Sequence, residues 1–434
     1  MATSALDQSP LEPHDGSPRL SRAFGWIVFL LTFGLLLSDY MSRQVLAAVF
    51  PFLKIEWNLT DAELGALTSI VALTVGVLAV PLSLLGDRWG RSKAIVLMAG
   101  LWSLATLGAA LAANYEQMLV ARCLVGVGEA AYGSVGLAVV LTVFSPARRA
   151  SLTGAFMAGG SFGSVLGVFL GGIIAVQIGW RWSFGVMGCI GLVLVLLYAL
   201  LINDRRLGAH RHPDNAEPVT AAGTRAPLRT LVSTPSVVCA YLGSGLQLFV
   251  AGTMFAWLPS YLNRSYGLAP DRAGAAAAFF ILIMGVGMIG CGVITDHLSR
   301  TRPERKWTTA IAYSALCVVL LSLAFAQAPG AAQLTLLAIG VFFAAGTSGA
   351  AGAMVANLTP ASIRATAFGS LTLVNNVLGL AAGPFVIGLL ADRLGLEAAM
   401  RLSPLACLLS LAAFALGLRY YSSSLARVAA VKAQ

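Results

Sequence analysis
The sequence predicts an all-α membrane protein whose twelve transmembrane helices form two six-helix halves. Three observations predict it. Of the 434 residues, 58% are hydrophobic and only 11% are charged, where a soluble globular chain carries roughly a quarter. Apolar stretches of bilayer-crossing length, about 20 residues, recur twelve times along the chain. Two polar motifs also occur twice at similar offsets: SLLGDRWGR (Ser83–Arg91) and GVITDHLSR (Gly292–Arg300) lie 209 positions apart, while SPARRASLTG ending at Gly154 and TPASIRATAFG ending at Gly369 lie 215 apart.

The N-terminal half is expected at 23–202, after a tail at 1–22, with spans at roughly 23–52, 62–85, 93–113, 116–143, 150–178 and 182–202. The first stretch exceeds a signal-peptide core of about 7–15 residues and is followed by further spans, so it is expected to stay in the mature chain. It also carries Asp39 and Arg43 in an otherwise uncharged run. The second span leads into the charged loop GDRWGRSK (Gly86–Lys93), and the fourth holds Arg122 and Glu129. In the fifth, GGSFGSVLGVFLGG sets Gly159, Gly163, Gly167 and Gly171 four apart. Such a smooth stripe lets another helix approach closely.

Between the halves, residues 203–236 turn polar and rich in Pro, Ala and Arg, as expected of a linker that cannot bury a core of its own. The C-terminal half, 237–421, has spans at roughly 237–262, 273–295, 307–327, 331–357, 365–390 and 398–420, before a tail at 422–434. Its seventh, eighth, tenth and eleventh spans hold no charge. Polar candidates for substrate contact there are Gln247 and Trp257 in span 7 and Asn375 and Asn376 in span 11, joined by Tyr132, one turn beyond Glu129 in span 4. Polar residues in spans also serve as ordinary glue between helices.

Lysine and arginine alternate from loop to loop: one set of loops and tails holds twenty, the other six, and Arg43 and Arg122 lie within spans. By the positive-inside rule both termini are expected to be cytoplasmic. That orientation suits a plasma membrane, here a bacterial inner membrane.

Asp or Arg at the centre of a spanning helix costs about 2.5–3.5 kcal/mol, so four such residues demand an explanation. Asp39 and Arg43 share a face of span 1, four residues apart; Arg122 and Glu129 share a face of span 4, seven apart. Counted from the ends the two spans share, Asp39 precedes Phe52 by 13 residues and Glu129 follows Glu116 by 13. Both carboxylates therefore lie roughly 20 Å deep, near the bilayer midplane. Two structural ion pairs would account for this layer, and so would a proton route. Ionisable groups within a membrane usually mark the latter. A buried carboxylate favours its neutral form until a nearby arginine favours the charged one, so moving the arginine can couple protons to conformation.

GDRWGRSK resembles the loop signature after the second helix of the major facilitator superfamily, and the likeness covers nearly the whole chain. ARCLVGVGEAAYG in span 4, GWRWSF at 179–184, AWLPSYLNRSYGL at 256–268 and IRATAFGSLTLVNNVLGLAAGP at 363–384 are most similar to its spinster-like group, with the anion:cation symporters second. The resemblance implies a central cavity lined by spans 1, 4, 7 and 10 and alternating access by rocking of the halves. It implies proton coupling through Glu129 and a span 1 acid beside Arg43, with Arg122 in the same layer. Relatives carry that acid immediately before the arginine, whereas this chain has Ser42 there and Asp39 a turn earlier, so the role has either moved to Asp39 or left span 1. Asp87, Arg88 and Arg91 would form a gating latch, with Asp296 and Arg300 as counterparts and Ser299 in the place of Gly90.

The expected activity is secondary, proton-coupled transport of a lysolipid-like amphiphile or small organic anion; drug or metabolite efflux by proton antiport is the alternative. Protons and membrane lipids complete the expected partners of a monomer. No cofactor, metal or nucleic acid is expected, and the six cysteines, all within spans and without a CxxC pair, read as small buried hydrophobes. No span contains a histidine, which leaves an embedded hydrolase or metalloprotease without its usual residues. GVGMIG (Gly285–Gly290) matches GxGxxG in form only, because it lies inside an apolar span with no preceding strand.

Overall fold
Among the described residues, twelve helices are long and apolar enough to cross a membrane: α1 Ala23–Trp57, α2 Asp61–Leu85, α3 Arg91–Ala110, α4 Tyr115–Val143, α5 Ser151–Ile178, α6 Trp180–Leu201, α7 Pro235–Tyr266, α8 Pro270–Leu298, α9 Arg305–Ala326, α10 Ala331–Asn357, α11 Thr366–Leu394 and α12 Leu396–Arg419. The computed structural model describes residues 22–145, 148–210, 234–360 and 363–433, and the side chains of Gly86 and Asp87 lie outside the described part. Of the expected linker, the start forms a short helix, Asp204–Ala209, and residues 211–233 lie outside the described residues. The near face of the molecule is the one bearing this helix, the start of α1 and the end of α12.

Helix α1 outlasts the expected span by five residues, because Leu53 is fully buried and holds the last turn down beyond Pro51. Four of the twelve helices are interrupted where continuous spans were expected, the last of them α12, at Ser403–Pro404. Helix α4 breaks at Ala130–Ala131, α10 breaks at 345–347, and α11 passes through a π-helical segment, Asn375–Ala381. The first two breaks fall in Gly- and Ala-rich runs, VGVGEAAYG and AAGTSGAAG, where glycine weakens the helix and few side chains brace it.

Each half repeats one packing plan. Helix α1 packs on α5 and α6, and α3 on α4 and α6, just as α7 packs on α11 and α12, and α9 on α10 and α12. Across the halves α2 meets α11 and α5 meets α8. The glycine stripe of α5 does what its spacing predicts: a Cβ on Gly163 would sit 2.5 Å from the Leu37 carbonyl oxygen, and one on Gly167 2.6 Å from that of Met41. Backbone touches backbone there.

Buried apolar side chains sort by depth. Toward the far face one cluster runs through both halves, including Val49, Phe50 and Leu64 with Met254, Trp257 and Ile387. Toward the near face there are two clusters, one per half, around Trp102 and Tyr132 and around Trp307 and Phe414. The halves are thus joined on the far side and separate on the near side.

Candidate functional site
A cavity of about 750 Å³ occupies the space between those separated halves, bounded by α1, α2, α4 and α11. Its walls are largely apolar, with Leu36, Val75, Val80, Leu84, Phe368 and Leu380 among them; Asp39, Arg43 and Glu129 lie at its charged end. Glu129 owes its position to the break in α4: it ends the segment Tyr115–Glu129, and Ala130 and Gly133 beyond it leave the cavity unobstructed.

Three of the four span charges line the cavity, and the fourth stands behind them. Arg43 approaches Glu129 at 3.7 Å, longer than a hydrogen bond, and does not form an equivalent ion pair with Asp39. Asp39 and Glu129 are direct neighbours, and one oxygen of each, Oδ1 and Oε1, is buried without a hydrogen-bond partner. Arg122 is fully buried and donates to the backbone of α1, to the Ser42 carbonyl at 2.9 Å and the Arg43 carbonyl at 3.1 Å. It straps α4 to α1 beneath the residue that carries the accessible cation.

Of the side chains expected to touch substrate, Asn376 reaches the cavity wall, where its Nδ2 donates to the Thr372 carbonyl at 2.9 Å. The others lie elsewhere. Tyr132 is buried in the N-terminal half, donating to the Thr32 carbonyl at 2.7 Å and meeting Trp102 edge-on. Gln247 knits the C-terminal half, donating to the Phe343 carbonyl at 2.8 Å and accepting from Ser314 at 2.9 Å. Trp257 wedges α7 between α11 and α1, its Nε1 donating to the Pro384 carbonyl at 2.9 Å and its ring 5.3 Å from Phe50. Asn375 is absent from the cavity lining and keeps a buried, unpartnered Oδ1.

The far face is held by charges. Asp61, at the N-terminus of α2, accepts from Lys54 of α1 at 2.5 Å and from both terminal nitrogens of Arg264 of α7 at 2.7 and 2.8 Å. Asp392 of α11 returns the contact, accepting from the backbone N–H groups of Asp61 and Ala62 at 2.7 and 2.9 Å. A carboxylate is well matched to a helix N-terminus, whose first N–H groups lack partners. Near the midplane the Ser69 hydroxyl of α2 donates to the Ala381 carbonyl, the last residue of the π segment, at 2.5 Å.

The sequence profile of the Major Facilitator Superfamily matches residues 31–384. The chain belongs to that superfamily. Among curated proteins, this facilitator is 28% identical over 377 residues to protein spinster homolog 1 of Homo sapiens, spanning 82% of this chain and 71% of the relative. It is 22% identical to the hexuronate transporter of Bacillus subtilis, spanning 85% and 88%, and 27% identical to a sphingosine-1-phosphate transporter of Danio rerio, spanning 84% and 75%. Its fold matches the crystal structure of a bacterial homolog to human lysosomal transporter spinster in an inward-facing, unoccupied conformation, with TM-score 0.81, 17% identity and coverage of 93% and 99%. The occupied, inward-facing form of that homolog matches at TM-score 0.80. The chain is a multi-pass secondary transporter rather than an enzyme.

Among the residues expected to gate the near face, one described contact stays within a half. Asp87 has its side chain outside the described part, Arg88 is exposed, and Arg91 reaches Thr142 of α4, within its own half, at 3.5 Å. Asp296 and Arg300 are exposed and form no ion pair with a described residue. Gly90 has a job that Ser299 does not: it turns the chain with φ of 94°, and a Cβ there would meet Oδ2 of Asp204 at 2.6 Å, whereas Ser299 sits at φ of −95°. Asp204 in turn caps α3, accepting from the Ser92 N–H at 2.9 Å. Sequence reasoning missed Asp61, Asp392, Lys54 and Arg264 because charges at helix ends are ordinary; Asp61 and Arg264 sit 203 residues apart in the chain.

Proposed function
We propose that the protein couples proton movement to transport of an organic solute with an anionic head and an apolar body, bound between the halves. The observation that carries this reading is Arg43: a cation lying loosely 3.7 Å from Glu129 at the charged end of a cavity with apolar walls. An anionic head entering the cavity competes with Glu129 for that guanidinium. Once Arg43 turns to the solute, Glu129 keeps a negative charge in a buried place with its counter-charge withdrawn, and a proton restores neutrality. Solute and proton therefore bind together. Asp39, touching Glu129, takes the role of the acid that relatives carry next to the arginine, and shares the proton with it. Asn376 contributes a polar contact on the opposite wall.

Apolar walls favour a single-chain amphiphile such as a lysolipid over a fully polar sugar acid. The sphingosine-1-phosphate transporter and the hexuronate transporter among its relatives are each named for a solute that carries an anionic group, a phosphate in one and a carboxylate in the other. The twenty-to-six distribution of lysine and arginine supports cytoplasmic termini, and the membrane we propose is a bacterial inner membrane. With that orientation the cavity faces the cytoplasm and the Asp61–Arg264–Asp392 contacts form the outer gate.

The test is uptake into proteoliposomes under an imposed pH gradient, over a panel of lysolipids and organic acids. Glu129→Gln is expected to abolish gradient-driven accumulation while preserving exchange of solute down its own gradient. Accumulation at wild-type level would make Glu129 a structural residue and end the proposal.

A further inference from the structure
On the lipid-facing side of the N-terminal half, α2 and α3 flank a second, wholly separate apolar groove of about 120 Å³, floored by Val127 and Gly128 of α4. Its walls are two stripes at helical spacing, Leu85 and Trp89 on one side and Leu97 and Leu101 on the other. The second stripe continues upward, four residues on, to Lys93. Arg88 and Lys93 are exposed at the near-face mouth, and Trp89 is 53% exposed beside them. From Lys93 to Leu101 the stripe descends about 12 Å, most of the roughly 15 Å of hydrocarbon in one leaflet.

We infer that this groove binds one anionic phospholipid of the leaflet on the near face, its phosphate between Arg88 and Lys93 and one acyl chain along Leu97 and Leu101. Charge complementarity selects the head: two exposed cations at a membrane–water boundary, Arg88 and Lys93, attract anionic lipid over zwitterionic lipid. Trp89 lies at the depth where tryptophan anchors at the interface. The groove serves the membrane rather than the transported solute, since none of its walls lines the central cavity.

Native mass spectrometry of the purified full-length chain, with phosphatidylglycerol or phosphatidylcholine added in detergent, tests the inference. The wild type is expected to retain one phosphatidylglycerol in preference to phosphatidylcholine, and R88Q/K93Q to lose that preference by roughly tenfold or more. Leu97→Trp, which fills the groove and leaves both cations, is expected to reduce retention as well. Lys93→Gln alone, a change at an exposed position, keeps the test available if the double variant fails to fold, and is expected to weaken retention severalfold. Equal retention of the two lipids by the wild type, or phosphatidylglycerol retention unchanged in Lys93→Gln and Leu97→Trp, would overturn the assignment.

Discussion
Arg43 and Arg122 stand in the same charged layer and do different work. Arg122 spends two of its donors on the carbonyls of Ser42 and Arg43, a fork that a lysine ammonium cannot reproduce. Arg122→Lys is expected to destabilise the fold on the order of 2 kcal/mol, read as a lower melting temperature in detergent. Arg43→Gln should instead leave the melting temperature close to wild type and abolish binding of anionic solute, measured by calorimetric titration with the best solute of the uptake panel. If both variants lose stability equally, the division of labour is wrong. The layer was legible in the sequence because charges in apolar runs are conspicuous, and counting depth brought Asp39 and Glu129 together. Which arginine lines the cavity was not legible, since periodicity gives a face of a helix but not which neighbour covers it. For the same reason Gln247, Tyr132 and Trp257 read as cavity residues although each is spent on holding helices together.

The glycine stripe of α5 and the interruptions of α4, α10 and α11 show two uses of small residues in helices. Where Gly163 and Gly167 meet α1, the backbones touch, and Gly167→Val is expected to cut the yield of monodisperse protein severalfold on size-exclusion chromatography. Normal yield would mean that α1 and α5 can separate at little expense. The stripe was readable from spacing alone. The breaks were not, because alanine- and glycine-rich segments remain apolar and pass every test of a continuous span. The spacing of 215 residues between Gly154 and Gly369 also separates Ala130 from Ala345, so the interruption of α4 has its counterpart in α10. Discontinuous helices at matching positions of two halves are a recurrent sign of where transporters bind.

For the molecule as a whole, the state observed is closed at the far face by a shared apolar cluster and by carboxylates lent in both directions, Asp61 to Arg264 and Asp392 to the start of α2. Asp61→Asn is expected to shift the population toward a conformation open at the far face. Spin labels on the far-face ends of α1 and α7 should report the longer distance by electron-electron resonance, and an unchanged distance distribution would deny these contacts a gating role. The effect should be moderate, because Arg264 and Lys54 are partly exposed and their attraction is screened. The twelve spans and the duplicated plan followed from hydropathy and repeats, while the direction in which the cavity opens did not. Both directions bury the same residues in the same helices, and only contacts between distant positions tell them apart.

The paired interruptions of α4 and α10 have a further consequence. Only the first carries a carboxylate; its twin is flanked by alanine, glycine and serine. On the proposed reading, anionic head and proton meet on one wall of the cavity, at Arg43 and Glu129, while α11 of the other half offers the uncharged wall. Substitutions in that uncharged wall would then change which solute bodies fit while leaving the charged layer as it is.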